Sequence, residues 1–81
     1  IPRLPQVMLN SAARRRDEWQ SDAEFASAVE RATSAMGERG RVLVRPSGTE
    51  PKIRIMVEGD DAGQIERIAR ELAALAEARL N

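Results

Sequence analysis

The sequence predicts an α+β fold: a two-layer sandwich in which a small, mostly antiparallel sheet carries two helices on one face. Three observations predict it. Val42-Leu43-Val44 and Ile53-Arg54-Ile55-Met56-Val57 are short runs rich in β-branched residues, and they read as two strands joined by a loop. Phe25, Ala28, Val29, Ala32 and Met36 recur at the spacing of one helix face, as do Ile65, Ile68, Ala69, Leu72, Leu75, Ala76 and Leu80. A chain of 81 residues has room for one thin core, so both stripes must close over the same sheet.

The elements follow in the order β-α-β-β-α. Ile1-Pro2-Arg3-Leu4-Pro5 opens without an initiating methionine and is stiffened by proline. Residues 1–5 are therefore expected to be a linker from a preceding domain, 6–81 the folded unit, and the chain a piece of a longer protein. Gln6 to Asn10 alternates, with Val7 and Leu9 on one face and Met8 on the other, as a short strand would. Ser11 to Gln20 has no clear period and reads as a solvated loop, or as a basic patch through Arg14-Arg15-Arg16 offset by Asp17 and Glu18. Trp19 is expected to pack against the edge of the next helix. Ser21-Asp22-Ala23-Glu24 has the spacing of a capping box, with Ser21 as the cap, so the first helix should run from about Asp22 to Met36. Gly37 suits its end. The strands Arg41 to Arg45 and Ile53 to Glu58 come next. Gly59-Asp60-Asp61 breaks the chain, and either aspartate can cap the second helix. On the wet side of that helix Glu66 and Arg70 form a favourable i,i+4 pair.

Composition removes several functions. Lys+Arg and Asp+Glu are both 13, and this zero net charge argues against a nucleic-acid binder, which normally carries a basic surplus. All the cations except Lys52 are arginine, which suits bidentate contact with phosphate or follows from a GC-rich genome. The absence of cysteine and histidine excludes disulfides, thiolate metal sites and the commonest general base. No apolar run reaches the length of a membrane span, and no signal-peptide pattern is present. Gly37-Glu38-Arg39-Gly40 matches the Gly-x-x-Gly loop of KH-type RNA-binding modules. That loop joins two helices, whereas here a strand follows at once, so a helix stop plus turn accounts for it better.

The connection Arg45-Pro46-Ser47-Gly48-Thr49-Glu50-Pro51-Lys52 is longer than a tight hairpin needs. It carries a guanidinium, two hydroxyls, a glycine and an ammonium, the donors of an anion-holding loop. Strand alternation puts Arg45 and Arg54 on the face opposite Val42, Val44, Ile53, Ile55 and Val57. One hairpin register sets the two arginines directly opposite each other. Like charges so placed destabilise a ladder, unless an anion sits between them. The competing account is that both point into water beside Glu50 or Glu58. Leu43, Met56 and Met8 share the arginines' face, which would suit packing on another domain.

Arg45-Pro46-Ser47-Gly48-Thr49-Glu50-Pro51-Lys52-Ile53-Arg54 resembles the phosphate-binding loop of the α-D-phosphohexomutase superfamily. Ile55-Met56-Val57-Glu58-Gly59-Asp60 and Leu4-Pro5-Gln6-Val7-Met8-Leu9-Asn10 are similar to its phosphoglucosamine mutase branch. Phosphomannomutases and phosphoglucomutases carry Ser-Gly-Thr-Glu-Pro as well. The resemblance implies the fourth, TBP-like domain of a cytoplasmic isomerase that interconverts glucosamine 6-phosphate and glucosamine 1-phosphate for cell-wall precursor synthesis. It implies a phosphoserine and Mg²⁺ in other domains, and a sugar 1,6-bisphosphate as intermediate and activator. The fragment itself would contain no catalytic residue and no metal ligand. Its partners would be a sugar phosphate and the remaining domains, with no nucleic acid and no membrane. Carried over by position, Arg45, Ser47, Gly48, Thr49 and Arg54 would hold the phosphate that is not being transferred. Ser47 and Thr49 would each offer a hydroxyl and a backbone N–H, and Gly48 would leave space for the anion. Lys52 is either a further contact or exposed, and Glu50 is expected to turn away and orient Arg45, Lys52 or an amide.

Overall fold

The computed structural model describes residues 5–81; most of the expected linker, residues 1–4, lies outside them. Three strands, β1 (Gln6–Ala12), β2 (Gly40–Pro46) and β3 (Lys52–Gly59), form one antiparallel sheet in the order β1-β3-β2. Helix α1 (Ala23–Met36) lies over β2, and α2 (Ala62–Arg79) lies over β1 and β3. The expected sandwich and element order are both observed.

The period-two pattern decides the faces. Ile53, Ile55 and Val57 on the central strand are fully buried beneath the helices, beside Phe25, Ile65, Ala69, Leu72 and Leu80. Val42 and Val44 pack against this core from the edge strand. Trp19 meets Phe25 edge-to-face at 6.2 Å and 89°, the expected contact with the first helix.

Three local readings need correction. The first strand runs on to Ala12, and Ser11 and Ala13 are buried where a solvated loop was expected. Burial of the Ser11 hydroxyl is tolerated because it donates to the Ala73 carbonyl of α2 at 2.8 Å. The cap of α1 is Asp22, one residue beyond Ser21, and its carboxylate accepts from the Phe25 N–H at 2.9 Å. A carboxylate is the better acceptor, and at this position it also meets the Arg79 guanidinium at 3.2 Å. Gly59 is not simply a chain break. It ends β3 opposite Gly40, and the two glycines leave the space that the Met36 side chain fills.

Asp22 makes acid stability testable. The Phe25 N–H first, and the Arg79 guanidinium after it, hold its carboxyl below the ordinary carboxylate value. A depressed folded-state pKa means the unfolded chain binds the proton more readily. The contribution is therefore complete above the ordinary value, about 4, and disappears as pH falls through the lower folded-state value. Melting temperatures measured from neutral pH downward should fall less steeply in Asp22→Asn than in the parent chain. Identical slopes would show that Asp22 carries no such linkage.

Candidate functional site

The exposed face of the sheet is built in rows across the three strands. Asn10 on β1 stands opposite Arg54 on β3, which stands opposite Arg45 on β2. The hairpin register is thus the one that sets the arginines face to face. The same hairpin places Arg41 opposite Glu58, where the charges are complementary and bridge at 3.2 Å. The other nearby acid, Glu50, pairs with Lys52 at 3.3 Å. Among the described residues Arg45 and Arg54 have no ion-pair partner, so the two acids expected to neutralise them are engaged elsewhere.

A depression of 280 Å³ opens over this row, lined by Asn10, Arg45, Pro46, Ser47, Glu50, Lys52 and Arg54. A second of 260 Å³ adjoins it, lined by Met8, Arg41, Leu43, Arg45, Arg54 and Met56. The two arginines form the divide between a polar hollow and an apolar one. Met8 and Leu43 are 51% and 37% exposed, so this face is left uncovered by the domain's own helices.

Of the expected phosphate-holding residues, the fold gathers Arg45, Ser47 and Arg54 around the polar hollow. Gly48 and Thr49 stand on the exposed tip beyond its lining. Lys52 joins the hollow. Glu50 does too, although it was expected to turn away; it orients Lys52 from within the lining because their side chains meet across the turn. Asn10 was not anticipated. Its alternation with Met8 put it on this face, but nothing in the sequence revealed which strand β1 would join.

The loop's amides depart from expectation. The Ser47 N–H donates to the Lys52 carbonyl at 2.9 Å, which continues the hairpin ladder and removes that donor from any ligand. The Thr49 and Glu50 N–H groups donate to the Ser47 hydroxyl oxygen at 3.4 and 3.2 Å. An oxygen accepting twice retains its own proton, so Ser47 Oγ can still donate to a ligand. The Thr49 hydroxyl and the Gly48 N–H have no partner among the described residues. The loop therefore offers hydroxyls and guanidinium groups more than it offers a ring of amides.

Gly48 has a specific bearing on the site. Its φ is not positive, and a Cβ built there would meet no atom within 4 Å. Neither backbone conformation nor internal packing requires glycine at this position. Gly37-Glu38-Arg39-Gly40, by contrast, is accounted for internally. Gly37 ends α1 at φ 61°, a single helical turn covers Gly37–Arg39, and β2 begins at Gly40. Among the described residues no group of three or more Asp, Glu, His or Cys side chains could hold a metal ion, and no helix is long and apolar enough to cross a membrane.

This sheet-and-helix arrangement is the fold of a sugar-phosphate mutase domain. It matches Aspergillus fumigatus N-acetylphosphoglucosamine mutase with a TM-score of 0.77 at 19% identity, over 93% of this chain and 15% of that one. A structure of that enzyme in complex with GlcNAc-6P and magnesium matches with a TM-score of 0.75 at 21% identity, over 96% of this chain and 16% of that one. At these identities the likeness concerns the fold. Residues 8–75 match the family described as phosphoglucomutase/phosphomannomutase, C-terminal domain, and the chain belongs to that family. It is 44% identical over 81 residues to the phosphoglucosamine mutase of Cellvibrio japonicus, covering 100% of this chain and 18% of that protein. It is 53% identical over 76 residues to the phosphoglucosamine mutase of Clavibacter michiganensis, covering 94% and 17%. The chain thus spans less than a fifth of the length of these curated relatives.

Proposed function

We propose that this chain is the substrate-clamping C-terminal domain, with its folded unit at 6–81, of a cytoplasmic phosphoglucosamine mutase that interconverts glucosamine 6-phosphate and glucosamine 1-phosphate. Its part is to hold the phosphate that is not being transferred. The observation that carries this is the cross-strand pair Arg45–Arg54, like-charged, without acidic partners among the described residues, and facing one hollow. A phosphate dianion between two guanidinium forks turns that repulsion into attraction, and each fork matches two phosphate oxygens. Ser47 Oγ, Thr49 Oγ and the Gly48 N–H supply further donors from the tip. Asn10 and Lys52 complete the rim. The apolar hollow beside the arginines suits the preceding domain or the less polar side of a sugar ring.

Among the described residues no group of acidic side chains fits the family's Mg²⁺; on this reading the metal and the transferring phosphoserine are supplied by the remaining domains of the parent enzyme. The sugar 1,6-bisphosphate intermediate would present its second phosphate to this loop, and the domain by itself would be inactive.

Coupled assays of the full-length enzyme on glucosamine, glucose and mannose phosphates test the sugar. A clear preference for glucose or mannose would overturn that part of the proposal. Gly48→Ala tests the loop. Its melting temperature should be unchanged or slightly higher, since the added methyl meets open space and stiffens the unfolded chain. On this reading the anion comes up against the Gly48 N–H, so a methyl there should raise the KM for glucosamine 6-phosphate about tenfold, equivalent to about 1.4 kcal/mol. An unaltered KM would leave the glycine without a role in binding.

A further inference from the structure

We propose that Arg16 is a positioning residue that braces the hydroxyl-bearing loop from behind, given the phosphate-holding role proposed above. The loop runs from Ser47 to Pro51, and both of its ends are held by one short segment. At the first end the Ser47 carbonyl accepts from Arg16 Nε in a partly buried contact. At the last end the Pro51 carbonyl accepts from the Ala13 N–H at 2.8 Å. Arg16 lies outside the lining of the polar hollow, so it acts on the loop rather than on the anion.

The brace has a firm footing. Ala13 and Leu80 are fully buried. The Arg15 N–H donates to the Leu80 carbonyl at 2.7 Å, and the Arg14 N–H to Asn81 Oδ1 at 3.1 Å. Asn81 Nδ2 returns a bond to the Ala12 carbonyl at 2.9 Å. The segment is therefore pinned to the end of α2 before it reaches the loop. Of the neighbouring acids, Glu18 is taken by Arg15 at 3.3 Å and Asp17 forms no ion pair with Arg16 among the described residues, which leaves the Arg16 guanidinium to the carbonyl.

The consequence falls on Ser47. Its N–H is held by the Lys52 carbonyl and its C=O by Arg16. With both backbone groups held, Ser47 Oγ stays where it collects the Thr49 and Glu50 amides and keeps its own proton free to donate to a ligand. Without Arg16 the Ser47–Gly48 peptide can rotate, carrying the Gly48 N–H away. Order lost in the free loop must then be restored on binding, and affinity falls. The held phosphate is bound alike before and during transfer, so the loss appears in KM and not in kcat.

The test uses the full-length enzyme, with glucosamine 6-phosphate as substrate and inorganic phosphate as competing ligand. Arg16→Ala should raise KM and the phosphate inhibition constant together by about five- to tenfold, with kcat held within about twofold. Arg16→Lys, which can still donate to a carbonyl, should recover most of the loss. A lower melting temperature with both constants unchanged would overturn the brace and leave Arg16 merely structural. A lysine variant no better than alanine would overturn it too. Arg45→Ala separates the two levels. If it weakens phosphate and Arg16→Ala does not, only the brace is wrong; if Arg45→Ala leaves phosphate unaffected, the loop holds no phosphate and the role of Arg16 falls with it.

Discussion

Arg45→Ala in the full-length enzyme is expected to lower kcat/KM for glucosamine 6-phosphate by about ten- to a hundredfold, while the fold keeps its stability or gains a little. The two signs together are diagnostic. Hydrogen bonds to a charged group are worth roughly 1.5–3 kcal/mol each, which sets the kinetic range. Stability should move the other way because Arg45 stands directly opposite Arg54, and removing one of two facing like charges relieves the ladder. The Arg45 side chain is exposed and forms no ion pair among the described residues, so its loss opens no cavity and strands no charge. Steady-state kinetics with a melting curve measure both. Unchanged kinetics would remove Arg45 from the site. Impaired kinetics accompanied by a large drop in melting temperature would mean that the arginine supports the fold instead. Thr49→Val, which deletes one exposed hydroxyl, should lose less.

Gly40→Ala is the substitution expected to damage the fold most. Gly40 and Gly59 face each other across β2 and β3, and the Met36 side chain fills the space above them. A methyl at Gly40 would overlap the Glu58 carbonyl oxygen and Met36 Cε. The methionine end can swing aside, but the carbonyl belongs to the sheet ladder and cannot. Overpacking of this kind costs about 1–3 kcal/mol, or roughly 4–8 °C of melting temperature per kcal/mol in a domain of this size. Trp19, the chain's single tryptophan and a neighbour of buried Phe25, reports the transition by fluorescence. A midpoint equal to that of the parent would mean that the two strands do not close so tightly there. Gly48→Ala serves as the control, since the same added methyl meets nothing.

Much of the site is legible in the sequence. The arginine pair follows from two local facts: strands alternate with period two, and a hairpin joins neighbours in sequence. Together they confine Arg45 and Arg54 to one face and nearly to one rung. Helix positions were legible for a similar reason, since each stripe repeats over consecutive turns. Ser21 was misread as the cap because spacing alone cannot tell a hydroxyl from the carboxylate beside it. The decision went to Asp22, which meets Arg79 from the far end of the chain. The loop amides were misjudged because a hairpin's last rung takes the Ser47 N–H, and loop composition does not show how far a ladder extends.

From composition and periodicity alone came the α+β class, the faces of both helices, the hairpin and the placing of Arg45 and Arg54 on one of its faces; the register that opposes them is seen in the fold. These depend on contacts between residues close in sequence, where the backbone repeat dictates geometry. Tertiary structure alone decided that β1 lies against β3 and so brings Asn10 beside Arg54. It alone placed residues 13–16 behind the loop and moored them to the end of α2. Such contacts join segments tens of residues apart, and they form only where the packed core brings those segments together.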